Sequence, residues 1–490
     1  NLKEAEIATR KAIKIKPNSV NSNFNLGEIL FELNDLREAK QKFEECLEID
    51  PKRIEIMARL LVTLSNLSEW NEIEKYSLYF NRIGIEGKGI NPMSMLYLED
   101  NPKNHLKRAL NYNKEQKDKT IKNIFYQKKD KINIGYFSSD LRSHAVTNLM
   151  IRIFELHDKY KFNIFAYSLS NKKDHYTERI KKAVFCFREI HNLNNNQIVE
   201  IARNDKIDIA IDLNGYTKHN RKDIFAYRVA PIQINYLGYP GTLGSNSFDY
   251  ILADKVVIPE ENKKYYTEKV LHMPNSFHPH DDQKEISPRK FTREELGLPN
   301  DSFIFTCFNK NLKITRKEFN IWIRLLQKLD KSTLWLMKPN DNAIKNIHRE
   351  LINQGLEKDR VVFAKKMNLD EHLSRHSCGD LFLDTFNFNA GTAASDALWA
   401  GLPLITMAGK SFSARVGASI LNACNLKELI TDNEFEYESL AYELATNKQR
   451  LDKIVNKLKD RRSPFFDSSK YTKNLEKTYI KIINSDILNK

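Results

Sequence analysis

Cysteine is scarce in this 490-residue sequence: there are five, Cys46, Cys186, Cys307, Cys378 and Cys424, far apart and never paired as C-x-x-C. An odd, scattered set argues against a disulfide framework or a thiolate metal site and fits a reducing, cytoplasmic compartment. No stretch approaches the roughly 18 consecutive apolar residues of a membrane span, and the N-terminus has no signal-peptide core. Also missing are a Walker A lysine loop, a G-x-G-x-x-G fingerprint, an H-E-x-x-H helix and any paired Cys/His spacing. Kinase, dehydrogenase and zinc-hydrolase chemistries therefore lose ground, and no metal site or cofactor is expected. The chain opens on Asn1, already inside a helical pattern, as a piece of a longer protein would.

What is present is the composition of an ordered globular chain, with 41% hydrophobic and 29% charged residues. Its length calls for two or three domains rather than one core. The net charge of +14 favours polyanions, either nucleic acid or a phosphorylated ligand. The lysines are scattered, however, and runs such as Lys128-Lys129 and Lys263-Lys264 are short, so a solvated surface accounts for them equally well. No aromatic-studded basic strand supports nucleic-acid binding.

The first eighty or so residues repeat with a period of 34: Pro17 and Pro51, Leu2 and Leu36, Ala5 and Ala39, Ala12 and Cys46, and Ile13 and Leu47 are all that far apart. Leu26-Gly27, Ala39, Phe43 and Pro51 stand at the offsets of a TPR helix hairpin, where small residues let two helices approach and proline ends the second. A third, degenerate unit at 54–80 keeps Leu60, Leu64 and Ile73. Such an array either offers a concave surface to peptides or serves as a packing stub on the next domain. The sequence divides into TPR repeats at 1–83, a connector at 84–130 with a lysine-rich helical stretch before Ile124, α/β domains at 131–290 and 291–462, and a terminal helix at 463–490.

After Lys131, short β-rich runs alternate with helical stretches, which predicts parallel sheets. The first series comprises 131–137, 162–168, 207–213, 232–237 and 250–253; the second comprises 303–308, 332–338, 360–364, 381–384 and 404–407. Helices are expected between them, for instance over 318–329 and 343–354. Open sheets of this kind bind ligands beyond the carboxyl ends of their strands, so the segments that follow strands carry the functional candidates. In 384–401 (DTFNFNAGTAASDALWAG) a small-residue turn around Gly391 opens a helix, whose free amides and dipole suit a diphosphate; Asp396, one turn in, suits ribose hydroxyls. The plainer reading is an ordinary helix start. Lys310 and Lys313, in FNKNLK, can neutralise a phosphate leaving group, or simply be loop lysines. His372 and Arg375, three apart on one helix face, suit base and ribose, though surface helices often carry histidine. His144, at the end of SSDLRSH, suits proton traffic, although lone loop histidines are commonly inert. The stretch 236–244 (YLGYPGTLG) reads as a rigid, glycine-lined wall.

In their order, these segments resemble the catalytic region of the O-GlcNAc transferase family and its SPINDLY-like relatives. The likeness is carried by 212–244 (DLNGYTKHNRKDIFAYRVAPIQINYLGYPGTLG), 138–144, 308–313 and 398–409 (LWAGLPLITMAG), with TPR units in front. The resemblance implies an α/β architecture of two facing Rossmann-like domains, the glycosyltransferase B fold, preceded by an all-α TPR segment. It implies an inverting, metal-independent transfer of a sugar from a nucleotide donor, usually UDP-GlcNAc, to serine or threonine of proteins, with GDP-fucose or UDP-glucose as alternative donors. A decayed transferase serving as a TPR adaptor is a rival, opposed by the joint presence of His144, Lys313 and Asp396. By the same likeness His144 is the active-site histidine beside the acceptor and Lys313 the donor-phosphate lysine, with Lys310 where animal enzymes carry glutamine. Met367, Leu369, His372 and Arg375 fall on the nucleotide-contacting segment. Gly391, Thr392 and Ala393 match the phosphate turn, and Asp396 the ribose carboxylate. Gly391 and Ala393 replace a histidine and a threonine of the animal enzymes, so backbone amides must carry more of the phosphate contact. Asp208 stands where those enzymes have a second histidine, a change shared with the fucose-transferring branch. With Tyr216 and the 239–244 wall, Asp208 is expected to read the donor sugar.

Overall fold

The structure, a computed structural model, describes residues 1–114, 129–459 and 463–488. The lysine-rich stretch expected before Ile124 lies outside the described residues. Five helices lead the chain: α1 (Leu2–Ile15), α2 (Val20–Glu32), α3 (Leu36–Ile49), α4 (Ile54–Leu67) and α5 (Trp70–Lys75). Their repeat is a packing rule made visible. Gly27 of α2 lies so close to the Phe43 ring of α3 that a Cβ there would sit 2.5 Å from it, and Phe43, Ala39 and Cys46 are fully buried. The degenerate third unit supplies the most buried of these five helices, α4, and then docks on the second α/β domain. Trp70 Nε1 donates to Ile314 O (2.9 Å), and Asn311 and Asn340 each donate to Asn66 O (2.8 Å).

Two parallel sheets follow. The first contains β1 (Ile132–Ser138), β2 (Phe162–Ser168), β3 (Cys186–Glu189), β4 (Ile209–Asp212), β5 (Ile232–Asn235), β6 (Tyr250–Ala253) and β7 (Lys269–His272) in the order β3-β2-β1-β4-β5-β6-β7. The second contains β8 (Phe303–Cys307), β9 (Ser332–Met337), β10 (Val361–Ala364), β11 (Leu381–Leu383), β12 (Leu404–Met407) and β13 (Ile430–Thr431) in the order β10-β9-β8-β11-β12-β13. Every pairing is parallel, with Ile132 opposite Phe162 and Phe303 opposite Ser332. The central strands are predominantly apolar because helices cover both faces. The expected helices are Arg316–Lys328 and Asp341–Asn353. Strand order reverses at β1/β4 and at β8/β11, and the crevice beyond these switch points is where such sheets place ligands.

The terminal helix Ser468–Leu488 returns from the second domain to the first. Tyr479 OH meets Tyr136 OH at 3.1 Å, and Glu476 accepts from His157 Nδ1 at 3.0 Å. One apolar core accordingly runs through both sheets and this helix. No described helix is long and apolar enough to cross a membrane.

Candidate active site

Each switch point is stitched by an asparagine donating to an aspartate. In the first domain Asn214 Nδ2 donates to Asp140 Oδ2 (2.9 Å) and to Ser139 Oγ (2.9 Å), tying the loop after β4 to the loop after β1. In the second, Asn309 Nδ2 donates to Asp384 Oδ1 (3.2 Å) and Thr385 Oγ1 (2.9 Å), tying the loop after β8 to that after β11. The strands place these loops at the cleft, and the buried Asn–Asp bonds fix their paths.

His144 is the N-cap of the helix Ala145–Leu156. Its Nδ1 accepts from Val146 N at 3.3 Å and lies 3.7 Å from Asp140 Oδ2. Burial lowers its pKa, and Arg142 and Lys310 push the same way against Asp140, so the ring is neutral near pH 7. Lys310 belongs to the other domain, is exposed, and lies near enough for its charge to act on His144.

Lys313 ends a short 3-10 turn after β8, Asn311–Lys313. Nζ donates to Asn389 O (2.9 Å) and lies 4.1 Å from the centre of the Phe388 ring. Desolvation draws its pKa down to about 8, opposed by Asp384 and reinforced by Lys310. Asp384 accepts from Ala390 N (2.7 Å), Thr385 N (2.8 Å) and Thr406 Oγ1 (2.8 Å) as well as from Asn309. It thereby folds residues 385–390 back on themselves, while burial pushes its pKa up. The turn delivers Gly391, Thr392 and Ala393, all partly exposed, to the start of the helix Thr392–Trp399, which no side chain caps. A cation and an uncapped helix N-terminus thus meet at Asn389, the arrangement that attracts a phosphate.

Beside this cluster the domains enclose a cavity of about 850 Å³, ample for a nucleotide. Its wall includes Met367, Leu369, His372 and Arg375 from the second domain, Ser143 and Arg179 from the first, and Lys284 from the segment joining them. Arg375 is buried; its Nη2 donates to His372 Nδ1 (2.6 Å) and its Nη1 to Lys365 O (2.5 Å). Burial lowers the His372 pKa to about 2, with His376 and Arg375 adding to the effect, so His372 is a neutral ring held by Arg375. Asp396 is buried and its Oδ1 accepts from Lys284 Nζ at 2.8 Å, so one carboxylate oxygen already has a cationic partner. Lys310, Lys313, Gly391–Ala393, Asp396 and His144 are not on the cavity wall; Lys313 and the Gly391 turn cluster around Asn389.

Two expectations are corrected. Asp208 precedes β4 and therefore lies at the amino edge of the sheet, about 13 Å from Asp212 at some 3.3 Å per residue. There it accepts from Asn133 N (2.8 Å) and Lys129 Nζ (3.0 Å), bolting β1 to β4 on the side away from the cleft. Tyr216 and Tyr239 do not face the sugar either: they are 1% and 2% exposed and pack in the core on the outer face of the first sheet. The wall is held from behind, where Asn113 Nδ2 donates to Tyr216 OH (2.8 Å) and Leu243 O (2.7 Å). Of this stretch only Leu237 and Gly238 are partly exposed, and Leu237, just past β5, has φ +70°. Asp140, Asn214, Asn309, Asp384 and Lys284 escaped sequence reasoning, although an Asn or Asp within two residues of the end of a parallel strand was the available signal for the first four.

Two open parallel sheets facing across a cleft, with the anion-attracting groups on the second, define the glycosyltransferase B arrangement. Among solved structures, a mutant of the Thermobaculum terrenum O-GlcNAc transferase matches 100% of this chain and 95% of its own with a TM-score of 0.81 at 22% identity, a likeness of fold. The model of glycosyl transferase family 41 matches residues 107–290 and 284–475, and a tetratricopeptide repeat model matches 20–53. The chain belongs to glycosyl transferase family 41. Similar curated proteins include the probable UDP-N-acetylglucosamine–peptide N-acetylglucosaminyltransferases SEC of Arabidopsis thaliana, 35% identical over 72% of this chain and 37% of that protein, and SPINDLY of Petunia hybrida, 31% identical over 71% and 38%. The chain thus spans less than two fifths of the length of these relatives.

Proposed function

We propose that this chain is an inverting, metal-independent glycosyltransferase that moves GlcNAc from UDP-GlcNAc to serine or threonine of protein acceptors, which the TPR segment helps to present. The observation that carries the reading is the convergence of Lys313 Nζ and the uncapped helix Thr392–Trp399 on the turn at Asn389. Charge grows on the diphosphate as the sugar departs, and fixed donors aimed at that charge stabilise the transition state rather than the ground state. Lys313 and the amides of Gly391–Ala393 supply such donors. The relatives' printed names, with UDP-GlcNAc as donor and peptide as acceptor, support the substrate classes.

In the proposed reaction the acceptor oxygen bonds to the anomeric carbon as the bond to the diphosphate breaks, and the bonding pair leaves with the diphosphate. The hydroxyl proton passes to a base. His144 is suited to orienting the acceptor: with Nδ1 accepting from Val146 N, the neutral ring carries its proton on Nε2 and is a hydrogen-bond donor. Met367, Leu369, His372 and Arg375 would hold the nucleoside in the cavity, with Asp396 toward the ribose. Among the described residues no group of three or more His, Cys, Asp or Glu is placed to hold a metal ion, and the lysine and amides offset the phosphate charge themselves.

Calorimetric titration of UDP and GDP tests the donor. UDP is expected to bind more tightly and UDP-GlcNAc to be cleaved faster than UDP-glucose or GDP-fucose. Tighter binding of GDP reverses the donor assignment, and absence of binding by either favours a decayed adaptor.

A further inference from the structure

The segment after β7 crosses from the first domain to the second between two helix N-termini, and its polar side chains alternate in what they meet. Ser276 Oγ lies 2.9 Å from Ser419 Oγ on the helix Val416–Ala423, and His280 Nδ1 lies 2.9 Å from Ser395 Oγ on the helix Thr392–Trp399. These two contacts bracket His278 and fix where its ring stands. His278 is 3% exposed, its Nδ1 has no hydrogen-bond partner, and its ring stacks on Phe465 at 6.0 Å between centroids. The unpartnered Nδ1 is the acceptor nitrogen of a ring whose other nitrogen, Nε2, faces the phosphate turn.

The ring is turned toward the phosphate turn. Gly391 is the N-cap of the helix Thr392–Trp399 and contributes no side chain. A Cβ built on Gly391 would come within 3.3 Å of His278 Nε2, with Val416 Cγ1 next at 3.8 Å. The space in front of the uncapped helix is therefore bounded by an imidazole nitrogen from a different part of the chain. Burial lowers the His278 pKa to about 3, and Lys284 adds to this. The ring is neutral at physiological pH, with one N–H to donate.

We propose that His278 is a further phosphate-contacting residue: its Nε2–H donates to the donor diphosphate at the helix N-terminus, reaching through the space that the missing side chain at Gly391 leaves open. The assignment rests on the nucleotide-sugar reading above. A side chain at position 391 would crowd the ring, which would have to give by a few tenths of an ångström, and the assignment makes the joining segment part of the donor site rather than a hinge alone.

The test is calorimetric titration of UDP and uridine into the full chain carrying His278→Leu, which fills the space without a donor, and His278→Gln, which keeps an N–H. His278→Leu is expected to weaken UDP about tenfold, a hydrogen bond to a charged group being worth roughly that, and to leave uridine within about twofold. His278→Gln is expected to stay within about threefold of wild type for UDP. Equal UDP affinity in wild type and His278→Leu overturns the assignment. Parallel losses for UDP and uridine overturn it as well, because that pattern marks a packing role. If wild type binds no UDP, the nucleotide reading itself fails, and the inference with it. Should His278→Leu not fold, nitrogen NMR of labelled histidine in wild type, assigned with His278→Gln, decides: UDP is expected to shift the His278 Nε2 signal, and an unmoved signal overturns the proposal.

Discussion

Lys313 carries an electrostatic tension that a loop lysine in water would not. Desolvation holds its pKa near 8 rather than the ordinary 10.5, so its charge becomes secure only when an anion arrives. Two outcomes follow at this scale. Lys313→Ala should cost roughly 2–4 kcal/mol of transition-state stabilisation, as removal of an oxyanion donor does, with little change in melting temperature, because the residue belongs to a strand-end loop. A diphosphate bound beside it favours the ammonium and raises its pKa, so the complex holds more protons than the free protein above pH 8. UDP affinity should therefore fall as pH rises through about 8, with proton uptake at pH 8.5 that Lys313→Ala abolishes. Calorimetry in buffers of different ionisation enthalpy reads that uptake directly, and a pH-independent affinity would contradict it. Asp208 teaches the opposite lesson: the family resemblance and an expected strand over 207–213 made it a sugar ligand, yet its place one residue before β4 puts it at the wrong end of the sheet.

At the scale of elements, the turn after β11 is shaped by what lies behind it. Asp384 collects four hydrogen bonds, and Gly417, on the helix Val416–Ala423, lets that helix approach. A Cβ at Gly417 would stand 2.5 Å from Asp384 Oδ2 and 2.6 Å from Thr406 Oγ1, both within a buried network. Gly417→Ala is expected to destabilise by about 1–3 kcal/mol, the usual cost of overpacking, and to weaken UDP by loosening the 385–390 turn. Thermal melting with UDP titration checks both effects, and an unaffected UDP affinity would separate Asp384 from the turn. Most strands of both sheets were legible because buried parallel strands are predominantly apolar. The edge strands β3 (CFRE), β7 (KVLH) and β13 (two residues) were not, since one flank lies at the surface and their letters alternate or carry charge. Likewise Tyr216 and Tyr239 read as a wall beside a glycine turn. Only the helix Pro102–Asn113, more than 100 residues earlier in the chain than Tyr216, reveals that they are covered.

Across the whole molecule, stability rests on buried histidines, two of which, His278 and His372, also belong to the proposed donor site. His105, His278, His372 and His376 have pKa values lowered to about 3, 3, 2 and 4 by burial. A depressed folded pKa contributes stability that is complete above the unfolded value near 6.5 and is lost as pH falls toward the folded values. Each such residue costs about 1.4 kcal/mol per pH unit once the unfolded chain titrates. The melting temperature should therefore drop steeply between pH 6.5 and 5, and scanning calorimetry showing a flat profile there would contradict these protonation states. The pairing of Lys284 with Asp396, 112 residues apart, and the bracing of His278 against Gly391 belong to this scale too, and no local pattern announces them. The central claim, that cleavage of a nucleotide sugar depends on the cluster at Asn389 rather than on a metal, is tested most directly by release of UDP from UDP-GlcNAc in excess EDTA, comparing wild type with Lys313→Ala. The account predicts release by wild type that chelator does not diminish, reduced by a factor of about 30 to 1,000 in Lys313→Ala. No release in EDTA with recovery on adding manganese, or equal release by both proteins, would contradict it.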